Sequence, residues 1–251
     1  MSILVSGSFA YDSIMVFPGR FKNEILPDKV HILNVSFLVP ELRREFGGCA
    51  GNIAYNLRML GSPVLPMGTV GTDFAPYQER LDKLGIPRTH VKELKDAFTA
   101  QAYIVTDMDD NQITAFHPGA MNQSHVQKVP RKGIKLGTVS PDGKQGMIDH
   151  AAQFADAGIP FLFDPGQGMP MFSGPELKKL VEQCTYLALN SYEAEVLTHR
   201  TGLNLKQLAQ SVDALIVTHG GKGSEIIAGG KVHEIPIASA AAGGKIGRAH
   251  V

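Results

Sequence analysis

Short apolar runs alternate with longer segments of helical periodicity along most of the chain. The apolar runs are bounded by small or polar residues and predict strands at 3–8, 64–70, 136–139, 161–163, 186–189 and 215–217. Segments between them space apolar residues three and four positions apart, as in the stripe of Met147, Ala151, Phe154 and Ala155. This order of elements predicts an α/β fold with a mainly parallel central sheet and covering helices.

Two regions interrupt the alternation, at about 14–40 and 98–117. Within them, β-branched and aromatic residues are concentrated at 14–17, 30–39, 99–106 and 112–116. Such runs predict strands that lie outside the main sheet. We therefore expect a single domain over residues 1–240, with a small β lid formed by the two inserted regions.

A glycine-rich turn precedes one of the predicted helices. Gly47, Gly48 and Gly51 fall within five residues, and the helical stripe that follows consists of Ala50, Ile53, Ala54, Leu57 and Leu60. A helix N-terminus offers unpaired N–H groups and a partial positive charge, which suit an anionic or hydroxyl-rich ligand. Asn52 lies in the first turn and could point at that ligand. On these residues alone, a helix that simply begins after a loop is an equal alternative.

Composition narrows the classes of function. The chain has 251 residues, and its 24 lysine and arginine residues balance 24 aspartate and glutamate residues, so no basic nucleic-acid face is indicated. The two cysteines have no CxxC spacing and no signal peptide is present, which predicts a reducing, cytoplasmic location. No apolar run reaches membrane-spanning length, and the histidines lack zinc-site spacing. We expect a small-molecule ligand, with no nucleic acid and no membrane.

Polar residues follow several predicted strands. Asp12 comes soon after the first strand, while Asp164, Asn190 and Thr218 end three later ones. The carboxyl edge of a parallel sheet is where open α/β folds bind ligands. A carboxylate such as Asp12 can accept two hydrogen bonds from a vicinal diol, the polar signature of a sugar. It could also be a helix cap or a surface acid.

Asn190 and Glu193 are three residues apart at the start of a predicted helix. This spacing places an amide and a carboxylate on one face, where they could hold hydrated Mg²⁺ beside phosphates. The same spacing is also that of an N-terminal capping pair, and the residues alone favour the cap.

Two motifs together resemble those of the ribokinase-like (PfkB) family of sugar and nucleoside kinases. The first is Gly47-Gly48-x-x-x-Asn52-x-Ala54, closed by Leu-Gly, and the second is Gly-x-Val-Gly-x-Asp over 68–73. The resemblance extends from residue 2 to about residue 240. It implies a three-layer fold with a central sheet, and a phosphotransferase that uses ATP and Mg²⁺.

The resemblance also implies roles for individual residues. Asp12, with Gly47, Gly48 and Asn52, would bind the substrate diol. Ser8 and Ser36 are weaker candidates for the same substrate site. Phe116, like Phe37 and Phe98, lies in the predicted lid and could stack on a base, although the lid's own small core is the commoner reason for such residues. Asn190, through water, and Glu193 resemble the magnesium and phosphate motif. Thr218, Gly220 and Gly223 resemble a Thr-x-Gly-x-x-Gly loop that contacts ATP, although Gly-rich turns of this kind also simply join strands.

The family's second signature, Asp-Thr-x-Gly-x-Gly-Asp, should begin near residue 240. It contains the general base, but Asp213 is the last aspartate of this sequence. We therefore expect this chain to hold no catalytic base, residues 241–251 to be a non-native tail, and the chain to have little or no kinase activity.

The sequence thus predicts ATP-dependent phosphorylation of a primary hydroxyl on a ribose-containing substrate, with adenosine favoured because the predicted lid is aromatic. Alternatives are a ribokinase- or fructokinase-like sugar kinase and a catalytically dead substrate-binding module. A third is an α/β enzyme of another class whose glycine turn binds a different anion. A homodimer formed through the lid is a further expectation.

Overall fold

Two β-sheets organise residues 1–237, the part of the chain that a computed structural model of the protein describes. In chain order the strands are β1 (Ser2–Ser6), β2 (Ala10–Val16), β3 (Glu41–Gly47), β4 (Val64–Val70), β5 (His90–Glu93), β6 (Ala100–Thr106), β7 (Gln112–His117), β8 (Ile134–Val139), β9 (Phe161–Phe163), β10 (Tyr186–Asn190), β11 (Ala214–Thr218), β12 (Ser224–Ala228) and β13 (Lys231–Ile235).

Helices connect most of these strands. They are α1 (Phe21–Glu24), α2 (Cys49–Met59), α3 (Ala75–Lys83), α4 (Lys144–Asp156), α5 (Gly174–Gln183), α6 (Ser191–Thr201) and α7 (Leu205–Gln210). Short 3₁₀ segments occur at Pro27–Ile32, Gly119–Val126, Gly166–Met171 and Gly220–Lys222. None of the helices within residues 1–237 combines the length and the apolar character needed to cross a membrane.

The larger sheet has nine strands in the order β13-β12-β11-β10-β9-β8-β1-β4-β5. All of its pairings are parallel except those of β12 with β11 and β13, which are antiparallel. Parallel strands of this kind need crossover connections, and the intervening helices supply them. The predicted mainly parallel central sheet is therefore confirmed.

Helices cover both faces of the larger sheet. Alternate residues of a strand point to opposite faces, and in β1 the side chains of Ile3 and Val5 join one apolar cluster while Leu4 joins another. The first cluster includes Tyr77 of α3, and the second includes Phe154 of α4. Two separate cores on either side of one sheet confirm the predicted three-layer arrangement.

The smaller sheet has the order β3-β2-β6-β7. Strands β6 and β7 and the end of β2 come from the two regions that interrupt the βα alternation, so a small separate sheet is confirmed, but its fourth strand lies elsewhere than predicted. Residues 30–39 are not a strand: a 3₁₀ segment covers Pro27–Ile32, and 33–40 have no regular structure. Leu38, at 84% exposure, has no sheet face to bury it.

The true partner of β2 is β3, which begins directly after Pro40. Its residues Glu41–Gly47 are mostly charged, and this composition hid it from a search for apolar runs. Charged side chains are common on edge strands because they discourage pairing with other molecules. The 30–39 segment, in contrast, has β-branched residues but no neighbouring strand with which to pair.

Candidate substrate and phosphate site

Asp12 lies in β2 of the smaller sheet and not at the end of the first strand, where it was expected. The reason is that β1 ends at Ser6 and the chain enters the smaller sheet by Ala10. Gly47 is directly beside the carboxylate, because a Cβ atom there would overlap the oxygens of Asp12. Glycine at this position therefore leaves the Asp12 carboxylate free of steric crowding from β3.

The glycine turn that leads from β3 into α2 has a backbone that other residues rarely adopt. Gly48 has φ 87°, and a Cβ atom there would lie 2.6 Å from the backbone nitrogen of Ala10. The first two amides of α2 are already satisfied, since Cys49 N–H donates to Ser8 Oγ (3.1 Å) and Ala50 N–H donates to the Ser8 carbonyl (2.9 Å). These two groups are therefore not available to an anion, contrary to the expectation from helix physics.

A cavity of about 440 Å³ lies between the smaller sheet and the carboxyl edge of the larger one. The residues that line it are Ser8, Ala10, Asp12, Gly48, Cys49, Ala102, Ile104, Gln112, Thr114, Phe116, Met121, Pro141, Asp142, Gln167, Gly168 and Met171. Four of the predicted substrate residues, Ser8, Asp12, Gly48 and Phe116, are in this set. Gly47, Asn52 and Ser36 are not, although Gly47 contacts Asp12.

The smaller sheet contributes a carboxylate and an aromatic ring to the same wall. In register, Asp12 of β2 pairs with Ala102 of β6, which in turn pairs with Phe116 of β7. Neighbouring strands are about 5 Å apart, so Asp12 and Phe116 are separated by about 10 Å on one face. Ala102 between them has only a methyl side chain, which leaves room for a ligand that reaches both.

The Asp12 carboxylate is held in a setting that disfavours its charge. Burial raises its pKa, and the negative charge of Glu45, its register partner on β3, raises the pKa further. Hydrogen bonds from ligand hydroxyls would stabilise the charged form. The site is therefore suited to a neutral ligand with several O–H donors.

The other predicted aromatic residues lie outside the cavity. Phe37 packs against Phe17 and Phe21, with ring centroids 4.9 and 5.0 Å away, and so belongs to a small cluster of the inserted region itself. Phe98 is 59% exposed and borders a groove on the opposite face of the smaller sheet, together with Tyr103. Only Phe116 is placed where it could meet a ligand in the cavity.

A second cavity, of about 280 Å³, adjoins the first. Its lining includes the polar ends of three parallel strands, Asp164 after β9, Asn190 of β10 and Thr218 of β11, together with Glu193 of α6. The structure thus brings together the strand-end residues that the sequence pattern singles out. The two cavities share the lining residues Cys49, Pro141 and Gln167, so ligands in them would be neighbours.

Asn190 and Glu193 form a complete capping box. Glu193 N–H donates to Asn190 Oδ1 and Asn190 N–H donates to Glu193 Oε2, both at 2.8 Å. The capping interpretation is therefore confirmed, and it orients both side chains at the edge of the second cavity. The other carboxylate oxygen, Glu193 Oε1, takes no part in the box.

Asp164 supplies a second carboxylate to this cavity. Burial and the negative charge of Glu193 raise its pKa to about 6. Within residues 1–237, no group of three or more His, Cys, Asp or Glu side chains could enclose a metal ion. The donor set of Asp164 and Glu193 does fit Mg²⁺, which binds through one or two carboxylates and keeps several waters or phosphate oxygens.

The Thr218 loop has the backbone of a tight glycine turn. Gly220 has φ 58° and Gly223 has φ 96°, and a Cβ atom on Gly223 would collide with the carbonyl of Ile235. Thr218 lines the second cavity, whereas Gly220 and Gly223 do not. His219 accepts or donates a hydrogen bond with Ser191 Oγ at 2.8 Å, which ties the loop to the start of α6.

Sequence reasoning missed several cavity residues, above all Asp142. This acid is 2% exposed, and burial raises its pKa to about 8. Its Oδ1 accepts the Gly143 N–H at 2.9 Å, while Oδ2 has no hydrogen-bond partner among residues 1–237. The sequence signal was a Pro-Asp-Gly turn after a strand, which indicated a loop but not a wall of the cavity. Met121, Gln167 and Met171 carried no signal.

Comparison with known proteins accounts for this combination of fold and motifs. A model of the pfkB family of carbohydrate kinases matches residues 8–242. The chain belongs to this family. The expected lack of a general base and the expected non-native tail both concern residues from about 240 onward, which lie outside the described residues.

Several relatives are nucleoside kinases. A nucleoside kinase of Methanocaldococcus jannaschii is 31% identical over 205 residues, which cover 81% of this chain and 68% of that protein. The structure of Burkholderia thailandensis nucleoside kinase in complex with inosine is 51% identical, has a TM-score of 0.83 and covers 94% of this chain and 75% of that one. The structure of the same kinase in complex with ADP-inosine is 52% identical, with a TM-score of 0.81, covering 95% and 76%.

The match covers only part of each of these relatives. The chain spans 64% to 68% of the length of three curated nucleoside kinases that it matches. The activities of those proteins therefore belong to longer chains.

Proposed function

We propose that this chain provides the acceptor site of an ATP-dependent nucleoside kinase, which phosphorylates a primary hydroxyl on the ribose of adenosine or a related purine nucleoside. The observation that supports this most directly is the shared wall of the 440 Å³ cavity, where Asp12 and Phe116 lie on one face of the smaller sheet with Ala102 between them. A nucleoside has the two matching parts, a diol and a flat ring.

Asp12 is the proposed anchor for the ribose. Its two carboxylate oxygens can each accept a hydrogen bond from one hydroxyl of a vicinal diol. Gly47 keeps a side chain away from it, and Gly48 and the Ser8 hydroxyl line the same cavity. A hydrogen bond to a charged group contributes about 1.5–3 kcal/mol, so this contact would be a main source of affinity.

The remainder of the cavity suits a heterocyclic base. Ile104, Phe116, Met121 and Met171 supply apolar surface, and methionine adapts its shape to a flat ring. Gln112 and Thr114 add a few polar groups at the same wall. A free sugar would leave this apolar surface without a partner, which is why a nucleoside is favoured over a sugar. The relative that binds inosine supports the same choice.

The second cavity is the proposed place for the phosphates of ATP. Asp164 and Glu193, with Asn190 through water, would hold Mg²⁺, which when bound offsets the charge of the phosphates. Asn190 and Thr218 are register partners on β10 and β11, so their spacing at this edge is fixed by the sheet. Because the two cavities adjoin, a ribose hydroxyl and a terminal phosphate would be held side by side, the positioning on which such transfers depend.

The proposal for this chain includes substrate binding with little or no turnover. Phosphoryl transfer of this type uses a carboxylate to take the proton of the hydroxyl, and a positioned base contributes about 10²–10⁴-fold. The family's second signature, which would supply it, is absent from the sequence of this chain. Turnover of adenosine with ATP and Mg²⁺ comparable to that of a version extended by a family C-terminus would contradict this part.

Isothermal titration of the 251-residue chain tests the binding part. Adenosine and inosine should bind, 2′-deoxyadenosine should bind more weakly because it offers one hydroxyl fewer, and ribose should be the weakest of the four. A folded chain that binds ribose as tightly as adenosine would favour a sugar kinase, and one that binds none of the four would refute a nucleoside site.

A further inference from the structure

One motif of the sequence has no place in either cavity. The Gly-x-Val-Gly-x-Asp stretch at 68–73 forms the last residues of β4 and the turn that follows this strand. None of its residues lines either cavity. The turn instead contacts the segment that leads into β6. Gly71 N–H donates to Thr99 Oγ1 (3.0 Å), and Thr72 N–H donates to the Ala97 carbonyl (3.0 Å).

Asp73 extends these contacts to three strands of the smaller sheet. Its Oδ1 accepts the Thr99 N–H at 2.7 Å, next to β6, and its Oδ2 accepts from Gln101 Nε2 of β6 at 3.1 Å. The Tyr11 hydroxyl of β2 donates to the Asp73 carbonyl at 3.1 Å. The Nη2 atom of Arg44, on β3, lies 3.6 Å from Oδ2 of Asp73.

The residues held by Asp73 lie directly behind the substrate wall. Alternate residues of a strand face opposite sides of a sheet. Gln101 therefore lies on the far side from Ala102, and Tyr11 on the far side from Asp12. Arg44, whose guanidinium stacks 3.7 Å from the centre of the Tyr11 ring, completes this rear layer.

We propose that Asp73 is a positioning residue, which fixes the smaller sheet against the turn after β4. It thereby sets the position of Asp12, and of the sheet face that carries it, relative to the cavity. The identity of the ligand that this wall binds rests on the function proposed above. The positioning itself concerns only the contact between the two sheets.

The four contacts differ in strength. The hydrogen bonds from Thr99 and Gln101 end on a carboxylate whose side chain is 20% exposed, and charge-assisted bonds in such a setting are the strong ones. The Arg44 pair is longer, and the Arg44 side chain is 45% exposed, so it should contribute little. Asp73→Asn is therefore the informative change, because an amide nitrogen cannot accept from Gln101, whereas Arg44→Met should have a small effect.

Hydrogen exchange without any ligand tests the positioning on the full 251-residue chain. Asp73→Asn should accelerate amide exchange at 10–16 and 98–106, while exchange in β8–β11 stays at the wild-type rate. Asp82→Asn is the matched control, since Asp82 also pairs with an arginine, Arg88 at 2.8 Å, but on the exposed surface near the end of α3. Wild-type exchange in Asp73→Asn would overturn the proposal.

Titration with inosine gives the functional readout. Asp73→Asn should weaken binding about three- to tenfold, which is no more than one lost hydrogen bond, with the melting temperature close to that of Asp82→Asn. If Asp73→Asn does not fold, Gln101→Leu removes one of the same bonds and must reproduce the exchange pattern. Unchanged inosine affinity beside accelerated exchange would overturn the link to the substrate wall. If the wild-type chain binds no nucleoside, the proposed function fails, and the exchange experiment still decides the role of Asp73.

Discussion

The two cavities differ in what holds their walls. The 280 Å³ cavity, which we proposed for the phosphates and call the phosphate-side cavity, is built on the ends of neighbouring parallel strands, where Asn190 and Thr218 are fixed by the backbone ladder of β10 and β11. The 440 Å³ cavity, which we proposed for the nucleoside and call the substrate-side cavity, is covered by the smaller sheet. The side chains of a few residues, Asp73 among them, hold that sheet against the larger one. Backbone ladders change little when one side chain is replaced, whereas the position of the smaller sheet depends on individual contacts.

The difference suggests a division of labour. A phosphate group is the same in every ATP molecule, so a rigid edge suits it, and loops and inserted elements on a rigid scaffold are where specificity usually lies. Both cavities also contain a carboxylate whose pKa is raised, Asp12 by burial and Glu45, and Asp164 by burial and Glu193. Single changes at these acids should therefore separate the two cavities.

The largest expected effect is at Asp12. Asp12→Ala should cost about 1.5–3 kcal/mol of adenosine binding, because it removes a charged acceptor from the diol. Binding of ATP with Mg²⁺ should stay at the wild-type level if the second cavity is independent. Titration calorimetry with both ligands measures this.

Glu45→Gln is the control for Asp12, since it removes a neighbouring charge on β3 but leaves the proposed anchor in place. It should bind adenosine about as well as the wild type. An equal loss for adenosine and 2′-deoxyadenosine in Asp12→Ala would show that the carboxylate does not read the diol.

At Asp164 we expect one substitution to change stability and binding in opposite directions. Its folded-state pKa of about 6 is above the ordinary 3.8, so between these values the native state keeps a proton that the unfolded state has lost. Stability is then fully present below pH 3.8 and falls as the pH rises to about 6. Because the residue is partly exposed, we expect Asp164 to cost about 1–2 kcal/mol of the free energy of unfolding at neutral pH.

Asp164→Asn should therefore raise the unfolding free energy at pH 7 and flatten its pH dependence, while weakening the binding of ATP with Mg²⁺. Urea denaturation across this pH range measures the first effect and calorimetry the second. Asp156→Asn, at an exposed acid at the end of α4, should change neither. Weaker Mg·ATP binding without any gain in stability would mean that Asp164 is not strained by its neighbours.

The sequence predicted the phosphate-side cavity better than the substrate-side one. Asp164, Asn190 and Thr218 follow short apolar runs, and topology alone brings the ends of parallel strands together. Asp142 lies three residues after such a run, but a Pro-Asp-Gly turn does not show whether the aspartate side chain is buried. For the larger sheet, each strand could be recognised from its own short apolar run, and the parallel topology then brings the strand ends together.

The smaller sheet was harder to predict because the sequence signals for its strands conflict. The charged strand β3 looks like a surface segment, while the β-branched residues at 30–39 look like a strand but have no partner. Ser36 was placed at the cavity by resemblance, and Asn52 by resemblance and by its position in the first turn of a helix. Neither argument gives the direction of a side chain, and neither residue lines the cavity. A homodimer through the lid and a cytoplasmic location stay predictions.

The smallest expected effect is at Phe116, and it separates the base from the sugar. The ring is 51% exposed on the edge strand β7, so it should add only about 0.5–1.5 kcal/mol to adenosine binding through stacking. Phe116→Leu should weaken adenosine and inosine alike and leave ribose unchanged, because ribose would contact Asp12 and not the ring. Ile113→Ala is the matched control, since Ile113 is 43% exposed on the opposite face of the same strand and its loss should not change the binding of any of the three ligands. An equal loss for ribose and adenosine in Phe116→Leu would mean that the ring only supports the wall, and that Asp12 and the apolar residues deeper in the cavity recognise the ligand without it.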